Sequence, residues 1–264
     1  MIRQNLHCHT CFDDGADAPE QMVLAAEAAG LGSLGISLHC PVQGQDDWCC
    51  SPEDEPLFVR EMHRLRAAYE GRIEVWCGLE YDLDGVRNFA PYDYVIASCH
   101  LLDGISVDNT VEEAEALIAH FAGAERAAET YYRRVCSIAA IREADIVGHF
   151  DVLTKFDDRF SLFDTTKPAY RDAAFSAMEV LHAAGKIFEI NTGAVAKGWR
   201  REPYPNPELL RHLHTLGGRI CISTDAHCAA HTAFGFAEAE SLARACGFTE
   251  IWQFTGKAFE AAAL

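Results

Sequence analysis

Residues 5–15 of the chain read NLHCHTCFDDG. His7 and His9 flank one cysteine, and Asp13 and Asp14 precede Gly15. Imidazole and carboxylate donors packed this closely suit a divalent metal, provided other segments supply further donors. Other segments do. His39 closes LGISLH, Glu80 closes IEVWCGLE, His100 closes YDYVIASCH, His149 closes DIVGH, and Asp225 and His227 lie in RICISTDAH. One histidine at such a place is ordinarily a hydrogen-bonded structural residue; its repetition along the chain points to chemistry. His7, His9, Asp14, His39, Glu80, His100, His149, Asp225 and His227 are too many for one ion. Two or three divalent transition metals (Zn, Mn or Fe) are expected, bridged by Glu80 or another carboxylate. Clustered metals clamp phosphoryl oxygens and generate a hydroxide nucleophile near neutral pH. Formal charge balance over such a centre favours a phosphomonoester over a neutral amide.

The segments ending in these residues are short apolar runs that alternate with alanine-rich helical patterns. The runs are IRQNLH, LGISLH, IEVWCGLE, YDYVIASCH, DIVGH, KIFEIN and RICISTD. Between them lie APEQMVLAAEAAG, with Gly30 as its stop, PLFVREMHRLRAAYEG, a long helical region from Val111 to Glu143, KPAYRDAAFSAMEVLHAAG and NPELLRHLHTLGG; GFAEAESLARACG follows the last run. Strand and helix in alternation predict a parallel sheet, and this many units predict a closed barrel. The last residues of the seven strands are then His7, His39, Glu80, His100, His149, Asn191 and Asp225, gathered on the rim where such barrels place their reactive groups.

The 264 residues, 49% of them hydrophobic, are read as one α/β domain spanning 1–264. A formal net charge of −18 argues against a nucleic-acid surface. Eleven cysteines without framework spacing read as reduced thiols of a cytoplasmic protein. Neither a signal peptide nor a membrane span is expected.

The motifs HCHTCFDDG, SLH, GLEYD, IASCH, VGHFD and STDAH, in that order, resemble the PHP (polymerase and histidinol phosphatase) family, and GLEYDLDG, YDYVIASCHLLDG, VGHFDVLTKF and FEINTGAVAKGWRREPYPN resemble its histidinol-phosphatase branch. The resemblance implies a distorted (β/α)7 barrel, TIM-like, with a trinuclear centre. It implies hydrolysis of L-histidinol phosphate to L-histidinol and phosphate, a step of histidine biosynthesis; another small phosphoester, or a diester, is the alternative. Carried over by motif, His7, His9, Glu80 and Asp225 hold a first metal. Glu80, His100 and His149 hold a second, and Asp14, His39 and His227 a third, with Asp13 competing for Asp14's place. Glu80, Asp225 and His227 are the expected catalytic groups. Phosphate needs basic donors as well; Arg159, Lys197 and Arg200 are the candidates, with Arg201 beside them. Where the family often has an Arg-Lys pair, this chain reads Ala196-Lys197. Asp82, Asp103 and Glu202 could face a substrate amine, and Trp199 and Tyr204 could wall the pocket. His63, His120, His182, His212 and His214 lie in helical patterns and are expected to be structural, and His231 to sit in a surface loop.

Overall fold

The computed structural model describes residues 4–45 and 47–264. Ile2 and Arg3 of the first expected run lie outside them. The main sheet is parallel, with strands β1 (Gln4–Asn5), β2 (Ser33–His39), β3 (Glu74–Asp82) and β4 (Tyr94–Ser98). A small hairpin, β5 (Leu101–Leu102) and β6 (Ile105–Ser106), follows. The sheet resumes with β7 (Ile146–Val147), β8 (Ile187–Asn191) and β9 (Arg219–Ser223), in the order β1-β2-β3-β4-β7-β8-β9. A parallel bridge between Cys8 and Ala226 brings the first and last strands together beyond their ends. The result is a nearly closed seven-stranded barrel, the distorted (β/α)7 architecture expected.

Side chains alternate between the two faces of a strand, and this sorts the residues. Leu34, Ile36 and Leu38 of β2, Val75, Cys77 and Leu79 of β3, and Phe188 and Ile190 of β8 join the large core beneath the helices. The alternate residues face the barrel interior. Its lower part is apolar and filled by Leu6, Tyr94, Ile96, Ile146, Ile187, Cys221 and Phe254. The Tyr94 ring takes the space that side chains on β2 and β3 would need: a Cβ added at Gly35 would lie 2.1 Å from its hydroxyl, and one at Gly78 2.2 Å from its ring. Two residues further along each strand the interior turns polar, with Ser37, Glu80, Ser98, Glu189 and Ser223 all buried. This change from apolar floor to polar rim along single strands makes the upper end the place for chemistry.

Three expectations are corrected or refined. The ladders of β1, β4, β7 and β9 end at Asn5, Ser98, Val147 and Ser223, so His7, His100, His149 and Asp225 lie two residues past strand ends. β3 runs two residues beyond Glu80. The expected helical region from Val111 to Glu143 is made of two helices, Val111–His120 and Ala124–Val135, and a 3-10 turn Cys136–Ala140. Ala122 and Gly123 take φ of 58° and 137° and break it; glycine tolerates such a conformation at little cost. Beyond the last helix, Phe236–Ala245, an antiparallel hairpin of β10 (Glu250–Phe254) and β11 (Phe259–Ala263) was not foreseen. It caps the lower end: the Gln4 amide donates to Phe254 O (2.9 Å) and accepts from Phe254 N (2.8 Å). No helix among the described residues is long and apolar enough to cross a membrane.

Candidate metal centre

Acids hold the backbone of the histidines at this end of the barrel, both where the chain has left the ladder, at His100 and His149, and at His39, the last residue of β2. The amide of His100 donates to Asp82 Oδ2 (2.8 Å), that of His149 to Glu189 Oε2 (3.0 Å), and that of His39 to Asp13 Oδ2 (3.0 Å). Asp225 sits at φ 50°, a left-handed conformation uncommon outside glycine, which turns its carboxylate toward His9. The acidic turn after His9 folds back tightly: a Cβ at Gly15 would lie 2.4 Å from Thr10 N, so only glycine fits.

All nine donor candidates come together at the upper end of the barrel. His7, His9, Glu80, His39, His100 and His149 are buried. Glu80 is the centre. Its Oε2 lies 3.0 Å from His7 Nε2, 3.3 Å from His9 Nε2 and 3.2 Å from His39 Nδ1. Its Oε1 lies 3.0 Å from His149 Nε2 and 3.5 Å from His100 Nε2, and accepts from Ser98 Oγ at 2.7 Å. Asp225 Oδ1 is 3.3 Å from His9 Nε2. Toward solvent, Asp14 Oδ2 is 3.1 Å from His227 Nε2, and its Oδ1 3.8 Å from His39 Nε2. Asp13 is not among the converging atoms. Its Oδ2 accepts from His9 Nδ1 (2.9 Å) and its Oδ1 from Thr10 N (2.8 Å), so it orients His9.

The donor chemistry fits divalent cations. His7 Nδ1 is engaged by Glu189 Oε1 at 2.7 Å and His9 Nδ1 by Asp13, which leaves each Nε2 facing Glu80. His7 Nε2, His9 Nε2, His39 Nδ1 and Glu80 Oε2 are buried and lack a hydrogen-bond partner among the described residues. Three imidazole nitrogens around one carboxylate oxygen are unstable among themselves. As neutral rings they aim lone pairs at an anion, and as three imidazoliums they exceed its charge. Cations between them remove the conflict. The potential agrees: burial works to lower the pKa of His7, yet Glu189, Glu80 and Asp225 outweigh it and hold the ring well above its ordinary range. Burial likewise works to raise Glu80, but His7, His39, His100 and His149 hold it well below the carboxylate range. Four overlapping groups offer ligand atoms close enough to share an ion: His9, Asp14, His39 and His227; His7, His149 and Asp225; His7, His9 and Glu80; and His39, Glu80 and His100.

The cluster floors a pocket also lined by Trp48, Asp108, Lys155, Lys197 and Tyr204. Lys197, one of the three expected basic residues, lines it, its Nζ 3.3 Å from His227 Nε2. Arg159 and Arg200 are turned elsewhere. Arg159 donates to Gly198 O (2.6 Å) and stacks on Trp199, while Arg200 bonds Thr154 and covers the Tyr204 ring. Lys155, not foreseen, lines the pocket instead, its Nζ donating to Asp108 O (2.7 Å) and Oδ2 (3.1 Å). Trp48, also unforeseen, sets its ring edge-on to His39 and His100, with centroids 5.0 and 5.4 Å away. Asp82 is buried against His100, whereas Asp103 pairs with His120 at the surface. His212 stacks on Phe175, His214 packs on Phe248, and His231 packs on Phe234, all outside the pocket lining.

Comparison with known proteins gives the same picture. The family description "PHP domain" matches residues 5–193. The chain is 29% identical over 260 residues to a Deinococcus radiodurans protein named "Probable histidinol-phosphatase", covering 94% of each chain. It is 26% identical to a Lactococcus lactis histidinol-phosphatase, covering 97% of this chain and 96% of the relative. The solved structure of a Lactococcus lactis histidinol phosphate phosphatase, complexed with Zn, L-histidinol and phosphate, superposes with a TM-score of 0.75 at 24% identity, covering 98% of both chains.

Proposed function

We propose, since this chain belongs to the PHP domain family, that it is a metal-dependent phosphomonoesterase that hydrolyses L-histidinol phosphate to L-histidinol and phosphate. The observation that carries this reading is the convergence of unpartnered, buried imidazole and carboxylate atoms on Glu80 beneath a pocket whose wall presents two lysines. A centre of three divalent ions fits nine donors. His7, His9, Glu80 and Asp225 would hold the first, Glu80, His100 and His149 the second, and Asp14, His39 and His227 the third. Zinc is favoured by the complex of the Lactococcus lactis enzyme. Bound there, such ions supply Lewis acidity toward phosphoryl oxygens and bring the pKa of water toward neutrality.

The chain's own residues do the rest. Lys197 beside His227 supplies a cation at the rim on the Asp14 side. Lys155 supplies one on the other wall, steadied by Asp108, whose carboxylate is held down mainly by Lys155 against the effect of burial. Trp48 packs edge-on against His39 and His100 and covers that side of the cluster. These pieces bind a compact dianion. The high net negative charge repels a polyanion, so a small monoester suits the site better than a nucleic acid.

The test is turnover of a panel of small phosphomonoesters, L-histidinol phosphate included, alongside a phosphodiester, after reconstitution with Zn, Mn or Fe. L-histidinol phosphate should be the best substrate, and the diester should lag far behind. Faster diester cleavage, or no monoester turnover with any of the metals, overturns the reading.

A further inference from the structure

The phosphatase reading leaves the Tyr204 hydroxyl of the pocket without a task. Tyr204 is 2% exposed and lines the same pocket as Glu80, His149, Lys197 and Asp225. Its hydroxyl has no hydrogen-bond partner among the described residues. Buried tyrosine hydroxyls almost always find one, and an exception asks for an explanation. The ring is not free to seek a partner elsewhere. Its backbone is bridged to the end of β8, with Asn191 N donating to Tyr204 O (2.8 Å) and Tyr204 N to Asn191 O (3.0 Å). The Arg200 guanidinium lies 4.5 Å from its centroid on one side, and the His149 ring is 6.3 Å away. Arg200 is itself tied down, bonded to Thr154 O and Oγ1 and lying 3.9 Å from Asp151. A rigid phenol thus lines the pocket beside His149 with its hydroxyl unused.

We propose that the Tyr204 O–H donates a hydrogen bond to the phosphoryl group of the bound substrate, and that Arg200 is a positioning residue acting through the Tyr204 ring. The assignment rests on the phosphatase reading for its substrate. A tyrosine O–H, with an ordinary pKa of about 10, is a neutral donor near neutral pH. The role is therefore that of a fixed donor to an anion, like the donors of an oxyanion hole. It also gives Arg200 a function although its own donors face the protein.

The experiment compares the metal-loaded wild type with Tyr204→Phe and Arg200→Lys. It measures metal content, melting temperature, kcat/KM for L-histidinol phosphate and the Kd of inorganic phosphate. Tyr204→Phe keeps the ring and its stacking. It should retain the metals and the melting temperature, bind phosphate about tenfold more weakly and lose about ten- to a hundredfold in kcat/KM, as expected for a hydrogen bond to a charged group. If Arg200 acts through the ring, Arg200→Lys should weaken phosphate binding in wild type but add little in the Tyr204→Phe background. An active wild type with Tyr204→Phe within twofold of it in both measurements overturns the Tyr204 assignment alone. Equal effects of Arg200→Lys in both backgrounds overturn the positioning role. A wild type that binds phosphate through Tyr204 but hydrolyses no monoester overturns only the phosphatase reading. One that neither binds phosphate nor turns over overturns both.

Discussion

On the floor of the pocket, two histidines hydrogen-bond a further carboxylate through the nitrogen that faces away from Glu80, His7 to Glu189 at 2.7 Å and His9 to Asp13 at 2.9 Å, and Asp82 lies 3.3 Å from His100 Nδ1. At the rim the ties are fewer and wetter. Asp14 and His227 bond chiefly to each other at 3.1 Å, His227 Nδ1 leans on the Asp225 carbonyl, and their side chains are 29% and 20% exposed. The same types of donor are therefore preorganised in one place and adjustable in the other. Acids behind ligating imidazoles fix ring orientation and raise basicity. A floor built this way should hold its ions as a unit, while the rim should gain and lose an ion without disturbing the rest.

The sharpest way to break this comparison is at Glu80. It faces five imidazoles with two oxygens, so Glu80→Gln keeps its size but removes the charge that both floor sites would share. The expected result is a loss on the order of a thousandfold or more in kcat/KM, with most of the bound metal gone. Elemental analysis and steady-state kinetics decide it. A variant that keeps its metals and most of its activity means that Glu80 does not bridge.

A smaller effect is expected one layer back. Glu189 touches no proposed metal, yet it accepts from His7 Nδ1 and from the His149 amide. Glu189→Gln should lower metal affinity and activity by about ten- to a hundredfold, the usual range for an orienting acid. Asp13→Asn should do the same through His9. Metal titration of the purified variants checks both. Wild-type affinity in each would mean that the floor is not preorganised by its acids.

These orienting acids also mark the limit of what the sequence could say. The nine donors were legible because each is a metal-capable residue placed near the end of an apolar run, and the coincidence repeats around a barrel. Glu189 is in such a run too. In KIFEIN it sits two residues before Asn191 on the inward face, so alternation along the strand could have found it. It is not the last residue of its run, as His39 and Glu80 are of theirs, and so it was not among the candidates. Asp82 was misread as a mouth carboxylate because β3 extends past Glu80. Lys155 and Trp48 had no comparable signal, since each reaches the pocket from a loop whose path depends on packing. Arg159 and Arg200 had the right charge in the right loops, but aromatic rings took their guanidinium faces and backbone carbonyls their protons. The helix break at Ala122-Gly123 and the β10–β11 hairpin were missed for other reasons: a single glycine in a helical pattern does not by itself end a helix, and Ala261–Ala263 of β11 has little strand propensity, so tertiary packing made it a strand.

The rim provides the mildest and most informative test. Asp14 is held well below its usual pKa by His227, His39 and His9 even though burial works the other way, so it is an anion that draws positive charge. Unlike Asp13, whose oxygens are taken up by His9 and by backbone amides, Asp14 keeps an oxygen for the pocket, which it lines. Asp14→Asn should leave the floor intact, because no floor histidine depends on it for orientation. Metal content should fall by about one ion, and kcat/KM by roughly tenfold, mostly through a higher KM, since the lost cation would grip the phosphoryl group from the solvent side. The comparison with Asp13→Asn sharpens the point. Asp13→Asn acts through the His9 ring and should depress kcat and the affinity of the floor ions, whereas Asp14→Asn should depress neither strongly. Should Asp14→Asn empty all the sites, floor and rim are one cooperative unit and the distinction between them fails. Should it change neither metal content nor KM, Asp14 is a loop carboxylate and the third site does not exist.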